Sequence, residues 1–247
     1  HAKEVKLFQL GETMLDKCRE PKYLNPKIHG VFISHCHSDH INHIRFLDPK
    51  IPMYVGHGTK MIMDISKQTS PRYNDFGKEG HDYRLFKTND KIKVKHITVE
   101  PIHVDHSIPG AYGFIIHTSK GAIIYTGDLR MHGPKGSMTK EFIKRAKEAN
   151  PIAMLSEGTR VMDVDPEKPN TSEKHVEEEA TEIIDNAKGI VFADMASRNI
   201  DRIMAFYNAA KANKRKLLLD VKSAHLMNAL RESKMVDLPN VMKDKNI

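Results

Sequence analysis

Residues 35–40 read His-Cys-His-Ser-Asp-His, three imidazoles and one carboxylate in six positions. His35 and His37 are two apart, so on an extended segment they point the same way while Cys36 points oppositely, into packing. Asp39 and His40 follow at a turn into a helix and can reach a second point nearby. Imidazole and carboxylate are ligands that divalent zinc or manganese accepts. One strand-to-helix corner can therefore start two metal sites, and two ions about 3.5–4 Å apart can clamp a phosphoryl group and generate hydroxide at neutral pH. A turn with surface histidines is the blander alternative. Four coordinating residues directly after an apolar run argue against it.

Two further stretches could complete the set. His106 ends a β segment in "VDHSIPGAYGF", and Asp128 follows an apolar run in "IIYTGDLRMHG". Functional groups collect in loops at strand ends. Taken singly, Asp128 reads as a turn or helix cap and His106 as a turn residue; beside the first motif they become candidate ligands. Glu157, in "PIAMLSEGTR", reads on its own as a strand-end carboxylate. Ser197, Arg198 and Asn199 precede a helix whose first amides could take a phosphate, with capping by Ser197 the alternative. His43 and His132 read as surface residues, His225 as a surface or packing residue, and His103 is not assigned as a ligand.

The elements that must position these groups alternate along the chain. Residues 28–34, "IHGVFIS", are short, apolar and end at a polar turn, as a buried strand does. A helix start is expected at 41–47, a strand at 51–56, a helix at 58–67, one or two strands in 91–104, and a hairpin over 111–128 turning at "TSKG". A helix over 139–149 and a strand ending at Glu157 follow. Residues 161–170 carry two prolines and no apolar period and read as a linker. Beyond it, Val176, Ala180, Ile183, Ile184 and Ala187 share one helical face, with N-cap candidates at residues 170–172. Ile200, Ile203, Met204, Tyr207 and Ala210 share another. Residues 189–194 and 214–220 read as strands and 223–233 as a helix, so this part is expected to be a parallel α/β unit with right-handed crossovers.

The 247 residues include 39% hydrophobic and 29% charged residues, enough for a sizeable core, and allow one large domain or two smaller ones. No apolar run approaches the roughly 18 residues that span a bilayer, and no signal peptide is visible. The chain starts with His rather than Met, and His1 is set aside as a tag remnant. Two cysteines, Cys18 and Cys36, are too few for a disulfide framework and form no C-x-x-C pair, which favours a reducing, cytoplasmic setting. A formal charge of +7 suits a polyanionic partner. The absence of Trp argues against an extended base-stacking platform, leaving phosphate contacts and a narrow channel as the means of recognition.

"HCHSDH", "DHSIPGAYGF" and "YTGD", in that order, resemble the metallo-β-lactamase superfamily. "LSEGTR" and "ADMASRNIDRIMAFYNAAKANKRKLLLD" look like its β-CASP branch of nucleic-acid-processing nucleases, ribonuclease J-like enzymes in particular. The likeness runs over about residues 30–229. It implies an α/β fold: a metallo-β-lactamase αββα sandwich over 1–165 with a partial β-CASP domain over 166–247. It implies that His35, His37 and His106 hold one metal and Asp39 and His40 the other, with Asp128 bridging. Two zinc ions are expected, manganese being the alternative. A metal-bound hydroxide, oriented by Asp39, would attack the phosphorus in line, and Glu157 would hold a histidine ligand from behind. Ser197, Arg198 and Asn199 are the candidate substrate contacts.

The family also has a further metal-binding histidine after the β-CASP insert, a histidine in an "SGHA"-like stretch, and an early Asp. The first two do not occur here, and Asp16 supplies the third only doubtfully. The expectation is a chain incomplete at both ends. The reading is a metal-dependent phosphodiester hydrolase acting on RNA, with DNA and the exo- or endonuclease mode left open, cytoplasmic and without a membrane partner, and with a homodimer among the compatible states. The rivals are a hydrolase of small esters or thioesters in the same fold, and a catalytically incomplete nucleic-acid-binding fragment.

Overall fold

The computed structural model describes residues 28–69, 80–159 and 170–247. Asp16, Cys18 and nearly all of the expected linker lie outside them. Strands β1 (Val31–Ile33), β2 (Met53–Gly56) and β3 (Tyr83–Phe86) form a parallel sheet in that order. Strands β4 (Ile92–Val94), β5 (Ile97–His103), β6 (Tyr112–Thr118), β7 (Gly121–Tyr125) and β8 (Pro151–Leu155) form a second sheet, antiparallel except for the parallel β7–β8 pair. Helices α1 (Ser38–Ile41), α2 (His57–Thr69), α3 (Gly136–Glu148), α4 (Glu173–Asn186), α5 (Ile200–Ala212) and α6 (Val221–Glu232) complete the described elements, with a 3-10 turn at Ile44–Phe46.

Alternation along the strands explains the layering, since neighbours on a strand face opposite sides. Phe32, Tyr54 and Phe86 point from the first sheet towards Val99, Tyr112 and Phe114 of the second. Phe32 stacks on Tyr54 at 4.5 Å between ring centroids and meets Phe114 edge-on at 5.7 Å; Phe86 meets Tyr112 edge-on at 4.9 Å. Such pairs are worth about 0.5–1.5 kcal/mol each beyond the area they bury. The intervening residues Ile33, Met53 and Val55 face the other way, into a core shared with Ile62 and Met63 of α2, Ile200 and Ile203 of α5, and Leu226 and Leu230 of α6. On the far side of the second sheet, Ile102, Ile115 and Ile124 pack beneath Phe142 of α3. The result is the expected αββα arrangement, with α5 and α6 seated on the same outer face as α2.

The later part departs from expectation in two places. Residues 189–194 and 214–220 join no ladder among the described residues. Leu217 N–H donates to Asn246 O at 2.8 Å, while Phe192 is 89% and Leu218 84% exposed. An apolar run becomes a strand only when a partner backbone takes its hydrogen bonds in series, and among the described residues the single Leu217 bond does not extend into a ladder. The predicted apolar face of α4 is likewise only partly covered: Ala180 is buried, but Ile183 is 60% exposed. The face predicted for α5 is buried at Ile200, Ile203, Tyr207 and Ala210. β8 sits at the edge of its sheet with every residue exposed. Among the described residues, no helix is long and apolar enough to cross a membrane.

The tightest seat in the second sheet is Gly113, where an added Cβ would lie 2.5 Å from the Phe142 ring. Gly113→Ala is expected to destabilise the protein by about 1–3 kcal/mol, since overpacking pushes the ring off the sheet. Urea unfolding followed by circular dichroism measures it.

Candidate metal centre

Three loops converge at the ends of β1, β5 and β7. The first is set by β1, whose Ser34 carbonyl accepts the Tyr112 N–H at 3.0 Å, tying the strand to the start of β6. His35, wholly buried, follows at once. His37 precedes α1, whose first turn carries Asp39 and His40. Arg198, ahead of α5, donates from Nη1 to the Cys36 carbonyl at 3.1 Å and braces the loop from the helical side.

The second loop, residues 104–111, closes through the Val104 N–H to Ala111 O bond of 3.0 Å. Gly110 has φ +82°, and an added Cβ would meet the Thr59 nitrogen at 2.8 Å. Only a glycine lets this turn lie against the start of α2, where Thr59 Oγ1 donates to Gly110 O at 2.6 Å. The third loop carries Asp128 after Gly127, at φ +56°, whose added Cβ would lie 2.8 Å from Tyr112 O. Thr126 links this loop to β8: its N–H donates to Leu155 O at 3.0 Å, and its Oγ1 accepts from Glu157 N at 3.1 Å.

Together the loops bring the predicted ligands into one cluster. One donor atom from each of His35, His37, His106 and Asp128 lies within 4.8 Å of the others, and so do those of Asp39, His40 and Asp128. Asp128 belongs to both groups. His37 Nδ1 lies 2.9 Å from His106 Nε2, and Asp128 Oδ2 lies 3.6 Å from His35 Nε2 and 3.8 Å from His106 Nε2. His40 Nε2 is 3.2 Å from Asp128 Oδ1 and 3.4 Å from Asp39 Oδ2. Donors around a tetrahedral ion at about 2.0–2.1 Å stand roughly 3.3 Å apart, close to these separations. His35 Nε2 is buried and has no hydrogen-bond partner, which an ion would relieve. The donor set therefore fits divalent metal.

The electrostatics favour the ligand form of the imidazoles. Burial, reinforced by the neighbouring His40, His106 and His37, pushes His35 down to about 2. Burial and the charges of His37, Arg130 and His40 push His106 down to about 3. His37 is lowered too, chiefly by burial. These rings keep a free lone pair near neutrality. Asp128 is held above the usual carboxylate range by burial, with Glu157 and Asp39 adding to it against the pull of His40.

The remaining candidates fall differently. Glu157 does not hold a histidine: its Oε1 accepts from the Leu129 N–H at 3.3 Å and its Oε2 from the Thr159 N–H at 3.2 Å. It shapes the chain next to Asp128. Asn199 caps α5, its side chain accepting from the Arg202 N–H at 3.1 Å, so the cap is this residue and not Ser197. Ser197 and Arg198 line a small cleft of about 100 Å³ with Ser66, Thr69 and Lys222. His225 is on the surface, near Gln68, and His103 stacks on Tyr112 at 4.1 Å, away from the cluster. A cleft of about 630 Å³ opens beside His106, lined also by His103, Tyr112, Lys87, Lys135 and Met138.

Two residues had no role from the sequence. Asp105, preceding His106, and Arg130, two after Asp128, are both buried and paired to each other, Nε to Oδ1 at 3.1 Å. Their nearness to the motifs was the one available signal.

A family described as "Beta-lactamase superfamily domain" matches residues 7–188. Among curated proteins, Ribonuclease J 2 of Streptococcus pyogenes serotype M3 is 26% identical over 215 residues, covering 85% of this chain and 38% of that protein. Ribonuclease J of Sinorhizobium meliloti is 28% identical over 195 residues, covering 77% and 33%. A crystal structure of a protein of unknown function from Enterococcus faecalis V583 superposes with a TM-score of 0.69 at 27% identity, covering 88% of this chain and 53% of that one. The chain thus spans 33–38% of the length of these curated relatives.

Cys36, inside the motif, is fully buried and faces the core; burial pushes its thiol up to about 12. A protonated, buried thiol is inert. Iodoacetamide at pH 8 is expected to leave Cys36 unmodified in the native protein and to alkylate it in urea, read by peptide mass spectrometry.

Proposed function

Because the chain belongs to the beta-lactamase superfamily, we propose that it carries the metal centre of a ribonuclease J-like phosphodiester hydrolase acting on RNA. The observation that carries this reading is the pair of donor groups sharing Asp128, one member of which, His106, lines a cleft large enough for a nucleotide. His35, His37 and His106 would hold one ion, Asp39 and His40 the other, and Asp128 both. Zinc is the favoured metal, with manganese second. Bound there, such ions supply charge stabilisation to a phosphoryl group and activate water at neutral pH.

The chain's own residues do the rest. Asp39, exposed beside His40, would orient the attacking water. The cleft beside His106 would take a nucleotide, its sugar and base against His103 and Met138 and its phosphate towards the cluster. Lys87 and Lys135, which line the cleft, add positive charge where a polyanion enters. Ser197 and Arg198 lie on another side of the motif loop and would meet a phosphate further along the strand. In this reading residues 1–165 form the metallo-β-lactamase domain and 166–247 part of a β-CASP domain, and the protein works in the cytoplasm, where Cys36 stays a free thiol.

The test is metal analysis together with turnover of labelled single-stranded RNA by the zinc-loaded chain. About two zinc ions per chain and release of nucleotides or shorter fragments are expected. Asp128→Asn and His35→Ala should each bring the zinc content to one ion or fewer and turnover to background. Turnover of a chromogenic ester with none of RNA would overturn the substrate. Less than one zinc per chain, with no activity after added metal, would overturn the centre.

A further inference from the structure

Arg130 occupies a position that metal binding alone does not require. Its buried guanidinium spends each edge on a different carboxylate: Nε on Asp105, Nη1 on Glu173 at 3.1 Å, and Nη2 on Asp201. Arg202 reaches the same Glu173 from Nε at 2.8 Å, and Lys135 Nζ reaches Asp201 at 3.1 Å. Three carboxylates thus face three cations. Asp105 is next to the donor residue His106, and Arg130 is two residues beyond the donor residue Asp128. Two amides tie the loops together through Asp105: Arg130 N–H donates to its carbonyl at 2.8 Å and Lys135 N–H to its carboxylate Oδ2 at 3.1 Å. At the other end, Glu173 opens α4 and Asp201 lies in the first turn of α5.

A guanidinium is a planar fork with fixed donor directions. It cannot follow a shifted helix and also hold Asp105 in place. An ångström of movement in α4 or α5 must either break a charged hydrogen bond or draw the two loops with it. We propose that Arg130 is a positioning residue through which the seating of α4 and α5 sets the spacing of His106 and Asp128, so that helix docking and metal affinity are one coupled equilibrium. The proposal needs only the metal centre of the preceding reading and is independent of its substrate. Coupling between two sites is reciprocal, so metal binding must in turn steady the helices.

The test reads both directions. In the unmodified protein, amide hydrogen exchange over residues 200–212 is expected to slow on the order of tenfold when zinc is added. In the cobalt(II)-loaded protein, Asp201→Asn and Glu173→Gln should weaken cobalt binding on the order of tenfold and shift its visible absorption bands, with helix content by circular dichroism unchanged. Glu178→Gln, on an exposed α4 pair with Lys174, should do neither. Zinc binding without any change in exchange over 200–212 overturns the proposal, as does a cobalt affinity and spectrum identical to wild type in both variants. If those variants unfold, the exchange measurement on the unmodified protein decides. Failure to bind zinc overturns the metal centre itself, whereas coupling without RNA turnover removes only the substrate reading.

Discussion

The whole arrangement hangs on a layer of aromatic rings between two sheets. β1 is only three residues long, too short to hold a position by its ladder alone. Phe32 holds it, stacked on Tyr54 and edge-on to Phe114. Because side chains alternate, that one ring also decides that Ile33 faces the helices and that the chain leaves the sheet where His35 and His37 can converge. Tyr112 works in the same layer and, through its amide on Ser34 and its carbonyl against Gly127, brings the Asp128 loop up to the same strand end. Apolar packing, which has no directional preference of its own, is converted by the period of the strand into the aim of polar groups.

The centre and its surroundings handle buried charge in opposite ways. Around His35 and His106, burial keeps imidazoles neutral, at the cost of leaving His35 Nε2 without a partner. Nearby, Asp105, Glu173 and Asp201 each have a cation in contact. Glu173 illustrates the balance: burial alone would raise its carboxyl, but the hydrogen bonds from Arg202 and the charges of Arg202 and Arg130 bring it below the usual range. A ligand pocket needs the first solution, since a protonated imidazole has no lone pair to give. A joint needs the second, because charged hydrogen bonds are the directional ones.

Sequence pattern carried most of the site, for a physical reason. Ligands clustered within six residues share one local conformation, and a strand-end position tells where a side chain must emerge; hence His35 to His40, His106 and Asp128 were all legible. Helices α2, α4, α5 and α6 were equally plain, since each keeps an apolar period over three or more turns. What could not be read was anything decided by distant partners. Arg130 and Asp201 are 71 residues apart, and nothing local marks them as a pair. Residues 189–194 have the composition of a strand, but composition records a preference for burial, not the presence of a neighbour to provide it. The bonding of Glu157 was not legible either, since its carboxylate takes the amide of Leu129, 28 residues away; Asn199 turns to a local cap on Arg202.

The outer edge of β8 has a practical consequence. Ile152, Met154 and Leu155 are all more than half exposed, and among the described residues no further strand pairs with the outer edge of β8. An apolar strand with an open edge is a template on which another strand can add. A second strand laid along that edge would cover the three side chains and extend the sheet in one step.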